Sequence, residues 1–187
     1  MQDLVSSGSI LPARMVKGMM VMSGFSFVFS DRSVNRGRPH IQFLLVCFRL
    51  AQLSRRSVNP ATYILIGVPV SAFYRIVGLM FFGIDIPVST TIGSRLSIHH
   101  GMGLVVHAGA KIGSEVTLRQ GTTIGSKRGR GAPIIGDGVE IGPNVCVIGD
   151  VVIGRGSVIG AGSVVVADVS DNCVVAGNPA RLLHPSG

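Results

Sequence analysis

The sequence predicts a three-sided parallel β-helix of six-residue units, an all-β solenoid, preceded by a small α-helical N-terminal region. Three observations carry that prediction. Apolar residues recur every six positions at Ile86, Ile92, Ile98 and Leu104, at Ile112, Leu118 and Ile124, and at Ile135, Ile141, Val147, Ile153, Ile159 and Val165. Glycine follows the apolar residue at Gly93, Gly113, Gly125, Gly136, Gly142, Gly154 and Gly160, and a small or β-branched residue such as Val116, Thr122, Val139 or Val145 stands four places after it. The composition, with 26 Gly, no Trp, 5% aromatic and 47% hydrophobic residues, departs from an ordinary globular domain in the direction of a repeat architecture.

The period has a physical meaning. Each unit makes one short strand and one corner, with the apolar residue turned inward and glycine expected to relieve the tight turn through backbone angles that other residues resist. Three units complete a coil of about eighteen residues, and coils stack at a strand spacing of about 4.8 Å.

The elements follow in order. Residues 1–37 are rich in Ser, Gly and Met without a sustained period and read as a poorly ordered extension. Residues 38–84 form the helical region. Within it Phe43, Cys47, Leu50 and Leu53 predict one apolar stripe on a helix over 41–56. Asn59-Pro60 then opens a second helical stretch toward Phe82, which Pro69 should kink or break. The β-helix occupies 85–176 with an extruded loop at 125–134, and 177–187 is a C-terminal tail.

Charge and cysteine content exclude several function classes. Of 17 Lys/Arg and 9 Asp/Glu, nine bases and three acids precede Ile86, so the excess of positive charge is mostly N-terminal. No interleaving of aromatic and basic residues suggests a nucleic-acid module. Cys47, Cys146 and Cys173 form no metal spacing and no even set for a disulfide framework, which fits a reducing cytoplasm and structural thiols. The apolar stretch 19–29 is interrupted by Ser23, Gly24 and Ser26, unlike a signal peptide. The run 63–82 carries Pro69 and Arg75 and reads as buried or interfacial rather than spanning.

Two departures from the period point to a site. The step from Leu104 to Ile112 is eight and that from Ile124 to Ile135 is eleven. The second insertion, Ser126 to Pro133, is basic and glycine-rich and should leave the prism as an exposed loop, where function usually sits. His99, His100 and His107 cluster beside the first break. His100 lies two places past an inward Ile98, and Asp85, fifteen residues earlier, falls nearly one coil below it. A carboxylate beside a histidine fixes its tautomer and stabilises the cation formed when it takes a proton, so the pair suits general-base chemistry.

The segments FFGIDIPVSTTIGSRLSIHHGMGLVV, LRQGTTIG, VIGAGSVV and AGNPAR resemble the serine acetyltransferase-like branch of hexapeptide acyltransferases. From FYRI through IHHG the chain is most similar to the acetyltransferases of colanic acid and capsular polysaccharide biosynthesis, and the likeness covers about residues 32 to 183. The resemblance implies a left-handed coil, acetyl-CoA as donor and a sugar hydroxyl as acceptor. It also implies a homotrimer with active sites in the grooves between prisms. It leaves open a dimer of trimers through the N-terminal helices and peripheral contact at the inner face of the membrane.

By the same resemblance His100 matches the catalytic base and Asp85 the carboxylate that orients it. His99, His107 and Gln120 are expected to meet the acceptor, and Ser126, Pro143 and Ala161 to line the CoA groove. Lys127, Arg128 and Arg130 in the loop, with Arg181 of the terminal motif, are candidates for CoA phosphates. Serine acetyltransferases place Asp before the catalytic histidine and an Arg-His pair late in the loop. Here His99, Gly131 and Ala132 stand instead, which speaks against serine as acceptor and against a second catalytic histidine. A zinc hydratase of the γ carbonic anhydrase type is disfavoured, because adjacent His99 and His100 point to opposite sides of a strand. An acetyltransferase for a small acceptor, a nucleotide sugar or serine, is the nearer alternative, and a non-catalytic trimeric scaffold a more distant one.

Overall fold

A computed structural model describes residues 24–55, 60–129 and 131–185. Face one of the prism consists of β1 (Ile84–Asp85), β4 (Leu104–Val106), β7 (Thr123–Gly125), β10 (Cys146–Ile148) and β13 (Val164–Val165). Face two is β2 (Thr91–Ile92), β5 (Lys111–Ile112), β8 (Ile134–Ile135) and β11 (Val152–Ile153). Face three is β3 (Ser97–His99), β6 (Thr117–Arg119), β9 (Glu140–Ile141), β12 (Val158–Ile159) and β14 (Cys173–Gly177), closed by β15 (Ala180–Pro185). All pairings are parallel except β14 with β15, so the expected tail is an antiparallel edge strand.

The register turns the six-residue period into columns. Ile92, Ile112, Ile135 and Ile153 stack on face two, and all are buried. Alternate residues of each short strand face outward, which gives the half-buried pattern of a single-layer wall.

The glycines after the inward residue serve a different purpose from the expected one. Gly93 and its equivalents in the repeat do not have positive φ. A Cβ on Gly93 would sit 2.5 Å from the backbone nitrogen of Ser114 in the next coil, so close stacking, not turn geometry, selects glycine there. Left-handed angles fall instead at other corner residues, among them Arg95, Glu115, Asn144 and Asn172.

A solenoid must cover its open ends, because unpaired ladder groups are costly when buried and adhesive when exposed. The N-terminal segment covers the first coil with polar side chains. Asp31 Oδ1 accepts from Leu96 N–H (2.8 Å), Asn35 Oδ1 accepts from Ile98 N–H (3.1 Å), and Asn35 Nδ2 donates to Leu96 O (2.8 Å). Arg49 donates to Ile92 O (2.9 Å) and Gly93 O (2.5 Å), Gln52 to Thr90 O (2.9 Å), and the Tyr74 hydroxyl to Ile86 O (2.8 Å). The stretch expected to be poorly ordered, 1–37, is therefore structured where it is described. It forms a short helix α1 (Gly24–Val28) and a run of turns that buries Asp31 and Asn35, while 1–23 lies outside the described residues.

Helix α2 (Pro39–Ser54) begins with proline in its first turn, where the missing N–H costs nothing. Its core face is Ile41, Leu44, Leu45, Phe48 and Ala51, with Arg49 buried among them. The expected stripe is displaced. Cys47 is buried, but Phe43 and Leu50 are exposed, because the side of α2 that carries Arg49, which donates to Ile92 O and Gly93 O, is the side turned to the prism. Helix α3 (Pro60–Phe82) runs on through Pro69 without breaking. A π-helical turn, Tyr63–Gly67, closes with Val68 N–H on Tyr63 O immediately before the proline. A second π turn ends at Gly83 in the left-handed conformation that commonly terminates helices. The Asn59 cap lies outside the described residues.

Candidate functional site

The first break in the period sits on His100. Register pairs Ile84 with Leu104 and Val106 with Ile124, so Val106, not Leu104, continues the column of Ile124, Val147 and Val165. The two additional residues lie in the corner between β3 and β4, which has four residues, His100 to Gly103, where the next coil has two, Gln120 and Gly121. His100, Gly101 and Gly103 have φ of 63°, 50° and 75°. This bulged corner closes over Gly83, whose carbonyl accepts from Gly103 N–H at 2.8 Å. It presents an exposed imidazole on a rigid frame.

A Cβ on Gly101 would meet Ile84 Cδ1 at 2.5 Å in addition to the strained φ. Gly101→Ala is expected to lower stability by about 1–3 kcal/mol, read from denaturant midpoints, and to displace His100.

Asp85 projects outward from face one between inward Ile84 and Ile86, two residues beyond Gly83. Its carboxylate lies 3.6 Å from the guanidinium of Arg75 on α3, and among the described residues no hydrogen bond joins it to His100. The sequence reading missed Arg75, which carries no spacing signal linking it to Asp85.

Above His100, the same corner of successive coils carries Gln120, Pro143 and Ala161. Asn144 N–H bonds Gln120 O and Gly162 N–H bonds Pro143 O, each at 2.9 Å, which fixes this stack. His99 ends β3 and pairs in register with Arg119 on β6. Burial pulls its imidazole below the ordinary histidine value, helped by the charges of Arg38, Arg119 and His100 and opposed by Glu140. Arg38 is anchored there by a bond to Ile98 O of 2.6 Å, another neighbour the sequence did not reveal.

His99 should titrate below about 6.5 in an NMR pH series, and Arg119→Ala should raise it. Because the unfolded chain binds this proton more readily, the associated stability is present above about pH 6.5 and is lost as pH falls toward the folded value.

The second group of candidates occupies the opposite edge of face one. His107, Ser126, Lys127 and Arg128 follow β4 and β7 at the corner leading to face two. His107 Nδ1 accepts from Gly109 N–H at 3.1 Å. Lys127 and Arg128 are exposed and line an open depression of about 350 Å³ with Ile148, Gly149, Asp150, Val151 and Val166. Arg130 lies outside the described residues. Arg181 on β15 borders another depression, of about 270 Å³, on the last coils. Within one chain the His100 corner and the cationic loop are thus separated by the width of face one. Among the described residues no group of three His, Cys, Asp or Glu side chains is placed to hold a metal ion.

Comparisons with known proteins agree with this fold. A family model for the bacterial transferase hexapeptide (six repeats) matches residues 132–167. The putative colanic acid biosynthesis acetyltransferase WcaB of Escherichia coli K12 is 43% identical over 119 residues, which cover 61% of this chain and 72% of that protein. Serine acetyltransferase of Bacillus subtilis is 42% identical over 114 residues, covering 59% of this chain and 52% of the relative. The solved soybean serine acetyltransferase apoenzyme superposes with a TM-score of 0.69 and 28% identity over 86% of this chain and 69% of its own, which makes the prism a left-handed β-helix. The chain belongs to the hexapeptide-repeat acyltransferases and is an acetyltransferase of the WcaB and serine acetyltransferase type.

Proposed function

We propose that this enzyme moves an acetyl group from acetyl-CoA to a sugar hydroxyl in capsule or exopolysaccharide synthesis, working as a homotrimer in the cytoplasm. The observation that carries the reading is the bulged corner, which holds an exposed His100 above the start of β1 and its Asp85. His100 takes the proton of the acceptor hydroxyl as that oxygen attacks the thioester carbonyl. The C–S bond then breaks, and the imidazolium returns its proton to the CoA thiolate. No acyl-enzyme forms. A backbone N–H meets the developing oxyanion. Asp85 orients His100 once it turns from Arg75, a half-exposed ion pair that is weak and easily exchanged.

Donor binding falls to the other edge of face one. There Lys127, Arg128 and Arg130 meet the CoA phosphates and Ser126 lines the groove, whose other wall is Pro143 and Ala161 above a neighbouring prism's His100, with Arg181 a further contact. A trimer brings this edge of one prism to the His100 corner of its neighbour. His99, His107 and Gln120 receive the acceptor. A neutral His99 among arginines supports an uncharged acceptor, since the carboxylate that would grip an amino group is replaced there.

The test incubates the protein with acetyl-CoA and a panel of bacterial polysaccharide repeat units, with serine alongside, and follows free thiol release. Turnover with a saccharide and none with serine is the expected result. Good turnover with serine and none with any saccharide would overturn it.

A further inference from the structure

Helix α3 is apolar on nearly every side, yet most of it is bare. Of its 23 residues only Arg75 is charged, and 17% of its most apolar eighteen-residue window is buried. Leu65, Met80 and Phe81 are each 75–78% exposed, and Phe73 and Ile76 more than half. Consecutive Ile64, Leu65 and Ile66 are all exposed and turn through about half the circumference. A soluble helix of this length normally sets polar residues against the solvent.

We propose that α3 seats the enzyme on an anionic bilayer surface, its outer side sunk at the boundary of headgroups and acyl chains. This goes beyond the acetyl-transfer reading and does not depend on the acceptor. The helix lies along the membrane and does not cross it, because its inner side is fixed to the prism. Tyr74 donates to Ile86 O, and Gly78 packs where a Cβ would meet Ile84 O at 3.1 Å. A spanning helix would have to drag the first coil into the hydrocarbon.

Charge favours lipid over a second copy of the chain. Nine Lys/Arg against three acids precede Ile86, and Arg32, Arg36 and Arg55 are exposed. Exposed basic residues on the helical region, Arg55 shortly before α3 among them, complement anionic headgroups but repel their own image across a symmetric contact. The apolar surface also extends beyond the narrow stripe that one facing helix covers. On α2, exposed Phe43 and Leu50 lie beside the line His40, Leu44, Cys47 and Ala51 that faces α3, on the side away from the prism, and continue the apolar surface.

The test sediments the full chain with sucrose-loaded vesicles of phosphatidylcholine alone and of phosphatidylcholine with phosphatidylglycerol. The protein should pellet with vesicles, and more strongly with the anionic ones. L65Q/F73Q/I76Q/M80Q should lower the partition constant about tenfold or more while keeping the thermal transition and thiol release with a soluble acceptor. Should that variant fail to fold, Leu65→Gln alone is expected to weaken binding about threefold. Wild-type protein left in the supernatant with both vesicle types, or glutamine variants that bind like wild type, would overturn the proposal. Loss of oligomer in sedimentation velocity with no vesicle binding by wild type would also overturn it and assign the face to a second copy. Binding is read without turnover, so a failure of the acetyl-transfer reading leaves this result intact.

Discussion

His100→Ala is expected to lower kcat for acetyl transfer about 10²- to 10⁴-fold, the range that a positioned general base contributes. Among the described residues of one chain, the corner has no other group placed to substitute. His99 leaves the strand on the opposite side of the backbone and is held low in basicity by burial and its arginine neighbours. The substitution should leave the prism standing, since the side chain is exposed. Its φ of 63° penalises alanine slightly, so His100→Asn is the better control for folding, because asparagine tolerates that conformation while lacking the base. Both variants should bind CoA as wild type does in calorimetry. Wild-type turnover by either at saturating acetyl-CoA would remove His100 from the reaction.

Removing one partner of the buried pair between Arg49 and Asp31 is expected to destabilise the fold by about 3–5 kcal/mol, measured by denaturant unfolding of Arg49→Met or Asp31→Leu. The guanidinium is fully buried and meets the carboxylate in a bidentate fork of 2.7 and 3.1 Å. It also satisfies the carbonyls of Ile92 and Gly93, and its face lies 5.0 Å from the Phe27 ring centre. Truncating Arg49 leaves a buried charge and the carbonyls of Ile92 and Gly93 without this donor, a cost far above that of an exposed ion pair. Asp31→Leu additionally releases the Leu96 N–H. A loss under about 1 kcal/mol would show that the N-terminal cap is dispensable.

The parts of this protein that a sequence reveals are those written in a period. Inward residues such as Ile112 and Ile135 are forced by a wall one strand thick, so the prism and its three faces could be read directly. The long connection after β7 was equally legible in the step of eleven from Ile124 to Ile135, which leaves residues 126–133 between β7 and β8. The first break was legible only in part. Leu104 and Val106 are both apolar and both inward, so the spacing could not tell which one continued the column, and the bulge at His100 was placed just after its true position. The cap was not legible at all. Asp31, Asn35 and Arg49 act through contacts 18 to 65 residues distant, and a polar residue in a Ser- and Gly-rich stretch ordinarily reads as solvated. The stripe on α2 failed for the same reason, since its buried face includes an arginine.

The central claim is that the two breaks in the repeat form one site, although they stand at opposite edges of face one in any single chain. Co-expression of His100→Ala chains with K127E/R128E chains, each tagged, tests it most directly. Purified mixed trimers should recover activity at the site that combines an intact corner with a neighbour's intact loop, one of the three sites in each mixed trimer. Activity no higher than that of the two separate parent variants would contradict the claim.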